Sequence, residues 1–346
     1  MNDPFLAEAS GSNPVLELLD GYFEPRALRA RLGWPGSSVP LGTWQRALQS
    51  PLSEFLGRPS KELRARLVQH AYAVAGGRGE CSALLGSIVE IVHAASLIVD
   101  DIEDQSQSRR GRPTLHRLHG LALALNSANW LYFWAFELIQ SAGFAPSIEL
   151  ELLRRVNSAL LLGHHGQALD IAVSVADLDA HEVEPVVNAA TRLKTGALFG
   201  LAGSLGAIAA GANAEVVAAL HDFGVALGVG LQMLDDYSGL TNRERQHKGD
   251  EDLVLGRPTW AWAWAAGAVS KPEYEALRHS LRKVVEKEQH PEWLAHRIRS
   301  IIAGIGRART HEVLAESFGS LRARVGESEQ LELLAKDVEH LERVYG

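Results

Sequence analysis

V-E-I-V-H-A-A-S-L-I-V-D-D-I-E-D, residues 89–104, runs apolar for about three helical turns and then closes in four acids. The length of the apolar run and the absence of strict alternation predict a helix rather than a strand. On that helix Asp100 and Asp104 stand one turn apart on one face, and His93 lies two turns before Asp100 on the same face. Two carboxylates so placed can share a hard cation; Mg²⁺ takes oxygen ligands, keeps water, and is commonly held by one or two carboxylates plus substrate phosphates. A solvated acidic helix end reads the same way, and the stretch alone leaves both readings open.

Working outward, Q-M-L-D-D-Y-S-G-L, residues 232–240, ends a second apolar helix in Asp235 and Asp236, with Gln232 one turn before Asp236. Acids near a helix C-terminus oppose the macrodipole by about 0.3–1 kcal/mol each. Two apolar helices that both end this way call for a cation. Basic residues come in small sets: Lys61 and Arg64, Arg109 and Arg110, Lys194 opening K-T-G, and Lys248 and Arg257 flanking E-D-L-V-L-G-R-P. Each alone is an ordinary surface charge. Beside two carboxylate pairs they suit diphosphate, Arg through its planar fork and Lys as a point charge.

The rest of the chain agrees on an all-α fold, a single-domain bundle of long helices. Five of the 13 prolines fall within the first 40 residues, so residues 1–42 read as an irregular or partly helical extension and residues 43–346 as the helical domain. No proline interrupts residues 60–112 or 186–257, or follows Pro291, and apolar residues recur there every three or four positions. Polar breaks are expected at 76–80, 105–113, 141–147, 176–185 and 241–258. Hairpin signals between alternating strands are missing. The net charge of −8 argues against nucleic acid as a partner. One cysteine, Cys81, excludes an intramolecular disulfide framework and fits a reducing, cytoplasmic setting. The acidic start lacks the pattern of an export signal. Residues 120–136 and 196–212 approach membrane length, but their Asn, Gly, Ala and Ser content favours buried core helices over a transmembrane segment.

Residues 100–116, the Lys61/Arg64 pair, His93, Lys194-Thr195-Gly196, G-Q-A-L-D-I (166–171) and the 232–236 motif together resemble the trans-isoprenyl diphosphate synthases, in that family's order and over about 200 residues. L-N-S-A-N-W-L-Y-F and D-D-Y-S-G-L resemble the eukaryote-like geranylgeranyl diphosphate synthases in particular. The resemblance implies the isoprenoid synthase fold, with helices around a central cavity, and a homodimer. It implies that Asp100, Asp104 and Asp235, with Asp101 and Asp236 beside them, bind Mg²⁺, three ions per active site, on the diphosphate of an allylic prenyl substrate. Arg109, Lys194, Thr195, Gln232, Lys248 and Arg257 would attend that diphosphate. Lys61, Arg64, His93 and Arg110 would hold isopentenyl diphosphate without metal. The allylic C–O bond would ionise, the isopentenyl double bond would attack, and the released pyrophosphate would accept the proton.

Some positions depart from the family pattern: Gly239 stands in place of a third Asp, Ser60 in place of a Gly, Leu231 in place of a Phe, and Arg257 in place of a Lys. Ala95 and Ser96, small residues one turn above Asp100, argue against a farnesyl stop. By resemblance, Tyr132, Phe133 and His164 close the floor at a C20 product, although aromatics in an apolar helix are also ordinary core. A terpene cyclase of the same fold is disfavoured by Lys61, Arg64 and His93, and a non-catalytic subunit by the presence of both acid pairs. A di-iron bundle, suggested by Glu90 and His93 as E-x-x-H, lacks a second helical half-site.

Overall fold

The computed structural model describes residues 13–242, 252–253 and 255–345, and the chain divides into two compact units. The first comprises Met1–Gln69 and Glu80–Leu153, the second His70–Gly79 and Arg154–Gly346. Residues 13–42 therefore share a unit with the residues that follow them.

In the first unit, Asn13 accepts the backbone N–H groups of Val15 and Leu16 and so caps α1 (Pro14–Phe23), with Pro14 at the position where a missing N–H costs nothing. Its side-chain amide donates to the Leu56 carbonyl at 3.0 Å. Helix α1 buries Val15, Leu19 and Phe23, and its Tyr22 meets the Trp130 ring edge-on with centroids 5.0 Å apart. Trp130 in turn stacks on Trp134 at 5.0 Å. The segment expected to be irregular or partly helical thus holds a helix from Pro14, and each apolar side chain it buries contributes about 1.5–3 kcal/mol. Helix α2 (Pro25–Ser37) breaks at Gly33, whose φ of 62° is left-handed. The chain continues through α3 (Leu41–Trp44), a π-turn at Gln45–Gln49, α4 (Ser50–Leu56) and α5 (Leu63–Val74), which leads out of the unit. Helix α6 (Ala83–Glu103) is the axis of the unit, burying Leu85, Ile88, Val92 and Ala95 along one side and Ile91 and Ile98 beside them. Helices α7 (Leu115–His119) and α8 (Leu121–Ser141) follow.

Between α6 and α7 lies a small hairpin that the sequence reading did not expect: β1 (Ser108–Arg109) pairs antiparallel with β2 (Arg112–Pro113). Its turn residues, Arg110 and Gly111, have φ of 53° and 73°, the left-handed pair that a tight two-residue hairpin turn requires. Arg in place of the usual Asn or Asp hides the signal, and two residues per strand leave no alternation to read.

Helix α9 (Pro146–Ala172) leads into the second unit, followed by α10 (Ala180–Thr191), a π-turn at Arg192–Gly196, α11 (Ala197–Ala209), α12 (Ala214–Thr241), α13 (Trp260–Ala268), α14 (Lys271–Val285), α15 (Glu292–Ile302), α16 (Gly306–Val325) and α17 (Glu329–Tyr345). The break expected over 176–185 is shorter, because an Asp179/Glu182 capping box starts α10 early and the helix takes Pro185 into its interior. Helices α11 and α12 approach so closely that a Cβ on Gly203 would lie 2.2 Å from the Leu220 carbonyl. Trp262, Tyr274, Leu281, Leu294 and Ile298 lie in a second core in this unit.

By length and composition α6 and α12 could cross a membrane, but 56% and 67% of their most apolar windows are buried inside the structure. Of the two stretches marked in the sequence, Ala197–Ile208 is buried throughout. Helix α8 instead leaves Leu121, Leu125 and Phe133 exposed along one uncharged stripe.

Candidate active site

The first unit holds most of the expected isopentenyl and metal residues, with Asp100, Asp101 and Asp104 at the C-terminal end of α6. The Asp104 N–H donates to the Asp100 carbonyl at 2.9 Å, so the helical hydrogen bonding runs through the last acid, with Asp100 and Asp104 one turn apart. Arg109 reaches back from β1, donating from Nε to Asp101 Oδ1 at 2.6 Å and from Nη2 to Asp100 Oδ2 at 3.2 Å. Asp101 itself is buried, and its Oδ2 has no hydrogen-bond partner. Burial pushes its carboxyl up to about 6 against the opposing pull of Arg109. Asp101 thus anchors Arg109, while Asp100 keeps a partly open carboxylate.

His93, two turns earlier, is held well below its usual value by burial and by Arg64, Arg110 and Arg109 around it. Its ring is therefore a neutral hydrogen-bonding imidazole rather than a cation at neutral pH. A small cavity of 30 Å³ joins Ser60, Glu90, His93 and Arg110. Lys61 is exposed and Arg64 half-buried at the entry to α5. Arg110 donates to the Arg58 carbonyl and to Ser60 Oγ, each at 3.4 Å. Glu90, which the sequence reading considered only as an iron ligand, accepts the Ala65 N–H at 3.2 Å and is raised by burial despite Arg64 beside it. Left-handed backbone at a residue other than glycine costs about 1–3 kcal/mol. Among the described residues such positions are Glu62, Gln105, Arg110 and Lys287, and the first three lie in the loops that carry these charges.

The second unit holds the remaining acids and cations. Lys194 sits in the π-turn after α10, a form that recurs at functional sites. Its Nζ donates to Asp170 Oδ2 at 2.7 Å, and Arg257 donates to the Asp170 carbonyl oxygen. This meeting depends on Gly166, where a Cβ would lie 2.4 Å from the Lys194 nitrogen. Thr195 Oγ1 donates to Gln232 Oε1 at 3.2 Å, Gln232 Nε2 donates to Asp236 Oδ1 at 2.8 Å, and Asp236 Oδ2 accepts the Trp260 N–H at 2.8 Å. Both Asp236 oxygens are thereby engaged within the protein, and burial raises the group to about 7. Asp236 thus joins α12 to the start of α13, and Asp235 beside it is half-buried. Lys248 lies outside the described residues.

The expected floor divides. Ala95 is fully buried and Ser96 half-buried, its hydroxyl donating to the His93 carbonyl at 2.8 Å. Tyr132 is half-buried near Glu103 and Asp100, whose charges join burial in raising its phenol. Phe133 is 73% exposed, and His164 is exposed as well. The helical period explains Phe133: Leu131, Trp134 and Ala135 take the inner face of α8 and turn it outward.

The donor chemistry suits Mg²⁺: oxygen ligands only, from carboxylates one turn apart. Among the described residues no three His, Cys, Asp or Glu side chains converge on one point, so phosphate and water oxygens would complete the coordination.

The residues missed in sequence are Arg58, which holds the hairpin through its carbonyl groups, and Asp170, quoted within G-Q-A-L-D-I but given no role. The only sequence trace of Arg58 is its spacing of four from Glu54.

These helices define a protein of the all-α isoprenoid synthase fold. The chain matches the structure of a decaprenyl diphosphate synthase from Rhodobacter capsulatus with a TM-score of 0.75 at 21% identity, over 96% of this chain and all of that one. It belongs to the polyprenyl synthetase family, whose family model matches residues 45–298. It is 33% identical over 204 residues to a geranylgeranyl diphosphate synthase of Sulfolobus acidocaldarius, covering 58% of each chain. It is 31% identical over 253 residues to a geranylgeranyl pyrophosphate synthase of Neocamarosporium betae, covering 71% of this chain and 68% of that protein. The match thus spans about three fifths of the archaeal relative's length.

Proposed function

We propose that the protein is a Mg²⁺-dependent trans-prenyltransferase, cytoplasmic and homodimeric, that condenses isopentenyl diphosphate with an allylic prenyl diphosphate to give geranylgeranyl diphosphate. The observation that carries this reading is the pairing of Arg109 with Asp100 and Asp101, which sets a phosphate-binding guanidinium beside the metal-type carboxylates. The names of the archaeal and fungal relatives support the C20 product. The carboxylates of Asp100, Asp104 and Asp235 are the proposed Mg²⁺ ligands. When bound, the metal neutralises charge on the departing pyrophosphate.

The chain's own residues do the rest. Arg109 presents N–H donors to the allylic diphosphate while Asp101 keeps its guanidinium in place. Lys194 and Arg257, gathered by Asp170, add positive charge, with Lys248 as a further contact; Gln232 orients Thr195. Lys61, Arg64 and Arg110 hold isopentenyl diphosphate, and His93 donates one hydrogen bond as a neutral ring. The released pyrophosphate takes the final proton, so no side-chain base is needed. The small side chains of Ala95 and Ser96 favour a tail longer than C15. The uncharged stripe of Leu121, Leu125 and Phe133 supports α8 as the surface shared with a second copy.

Purified protein incubated with Mg²⁺, isopentenyl diphosphate and, separately, C5, C10 and C15 starters tests the proposal, with products weighed by mass spectrometry. Extension to C20 is expected, with loss of activity in EDTA, its return on adding Mg²⁺, and almost no turnover by Asp100→Ala. Cyclised hydrocarbon, or no extension, would reject it.

A further inference from the structure

A hairpin with two residues in each strand has too little of its own to hold it, since even longer isolated hairpins are marginal in water. Here its turn also carries left-handed backbone at Arg110. The side chain that compensates is Arg58, just beyond the end of α4, among the largest fully buried side chains of the chain and only 2% exposed. One edge of its guanidinium lies on Glu54, Nη2 to Oε2 at 2.8 Å and Nε to Oε1 at 3.3 Å. The other donates across the hairpin, Nη1 to the Arg109 carbonyl at 3.2 Å and Nη2 to the Pro113 carbonyl at 2.7 Å. One planar group therefore ties together carbonyls from both strands, and Glu54 supplies the counter-charge without which a buried guanidinium would be costly. Arg110 closes the circuit by donating to the Arg58 carbonyl.

We infer that Arg58 is a positioning residue for the diphosphate cations: it clamps the hairpin so that Arg109 projects toward Asp100 and Asp101 while Arg110 projects toward Ser60. This rests on the roles proposed above for Arg109 and Arg110. The fork is what the place demands. Lysine would keep the charge but could not span Glu54 and two carbonyls with a rigid plane of donors.

The test uses Arg58→Lys, Arg58→Gln, Arg110→Ala and the double variant Arg58→Gln/Arg110→Ala. Each full-length protein is assayed for KM and kcat with both diphosphates, for binding of inorganic pyrophosphate by calorimetry, and for hydrogen exchange over residues 106–114. Arg58→Lys and Arg58→Gln should raise both KM values about tenfold, with a smaller change in kcat. They should also weaken pyrophosphate binding and speed exchange in the hairpin. On the Arg110→Ala background, the added loss in KM for isopentenyl diphosphate should shrink to about twofold or less, because the two residues act through one element.

Losses that multiply in the double variant, or a lowered melting temperature with KM and pyrophosphate binding unchanged, would overturn the inference. If Arg58→Gln does not fold, Arg58→Lys decides by the same pyrophosphate and exchange readouts. A wild-type protein that binds pyrophosphate but extends no prenyl chain would sink the proposed reaction and leave the clamp to be judged on binding and exchange alone.

Discussion

Lys194 Nζ lies 2.7 Å from Asp170 Oδ2, and the same aspartate offers its backbone carbonyl to Arg257, so one residue of α9 collects two phosphate-type cations from two other segments. Asp170→Asn keeps the shape and removes the charge that holds Lys194. The pair is partly exposed, so stability should hardly change. The value of kcat/KM for the allylic diphosphate should fall about tenfold to a hundredfold, or about 1.4–2.7 kcal/mol. Steady-state kinetics beside a melting curve separates the two effects, and unchanged kinetics would remove Asp170 from the site.

The two acids in the last two turns of α12, Asp235 and Asp236, should part company on mutation. Asp236 accepts the first N–H of α13 and a Gln232 N–H, both away from bulk water, so Asp236→Ala should cost about 2 kcal/mol of stability through a lost cap and stranded donors. Asp235→Ala should leave stability near wild type and raise the Mg²⁺ concentration needed for half-maximal activity. Urea melts and a Mg²⁺ titration of both variants check this; equal behaviour would contradict the division of labour.

Acid should weaken the fold through His93. Burial and the guanidinium groups of Arg64, Arg110 and Arg109 depress its native value well below the ordinary 6.5. The folded ring therefore binds fewer protons than the unfolded one once the pH drops below that value. Its contribution to stability is intact above about pH 6.5 and declines below it by up to about 1.4 kcal/mol per pH unit. Glu90, which also faces Arg64 and Arg110, has the opposite sign because its value is raised, so the comparison must be with a variant that changes His93 alone. The urea midpoint of His93→Asn should fall less than that of wild type between pH 7 and pH 5.5. Parallel declines would show that His93 does not titrate as described.

Phe133 should govern assembly rather than product size. It is 73% exposed, and Phe133→Ala should leave the main product at C20. Leu121→Glu with Phe133→Glu should drive the protein toward monomer, since charge replaces apolar surface on the proposed shared face. Sedimentation and product mass spectrometry read the two outcomes separately.

What the sequence disclosed depended on range. The end of α6, the apolar period of α12 and the acid pairs are local patterns, and they lie in the structure where their spacing puts them. Arg58 was invisible because its partners, Arg109 and Pro113, lie 51 and 55 residues away and accept through carbonyl oxygens, which carry no residue identity. The bond from the Trp260 N–H to Asp236 left no trace in the sequence, because the donor lies 24 residues on and is a backbone group. The exposure of Phe133 was not legible, because period gives the faces of α8 but not which face turns inward.

The aromatic stack between α1 and α8 bears on how the protein can be shortened for laboratory use. A version beginning at Thr43 would keep every charged motif yet strip Tyr22 and Phe23 from Trp130, leaving indole surface open to solvent at the first step of purification. Shortened versions should retain Asn13, whose cap starts α1 and whose amide ties it to Leu56, and affinity tags belong ahead of that residue.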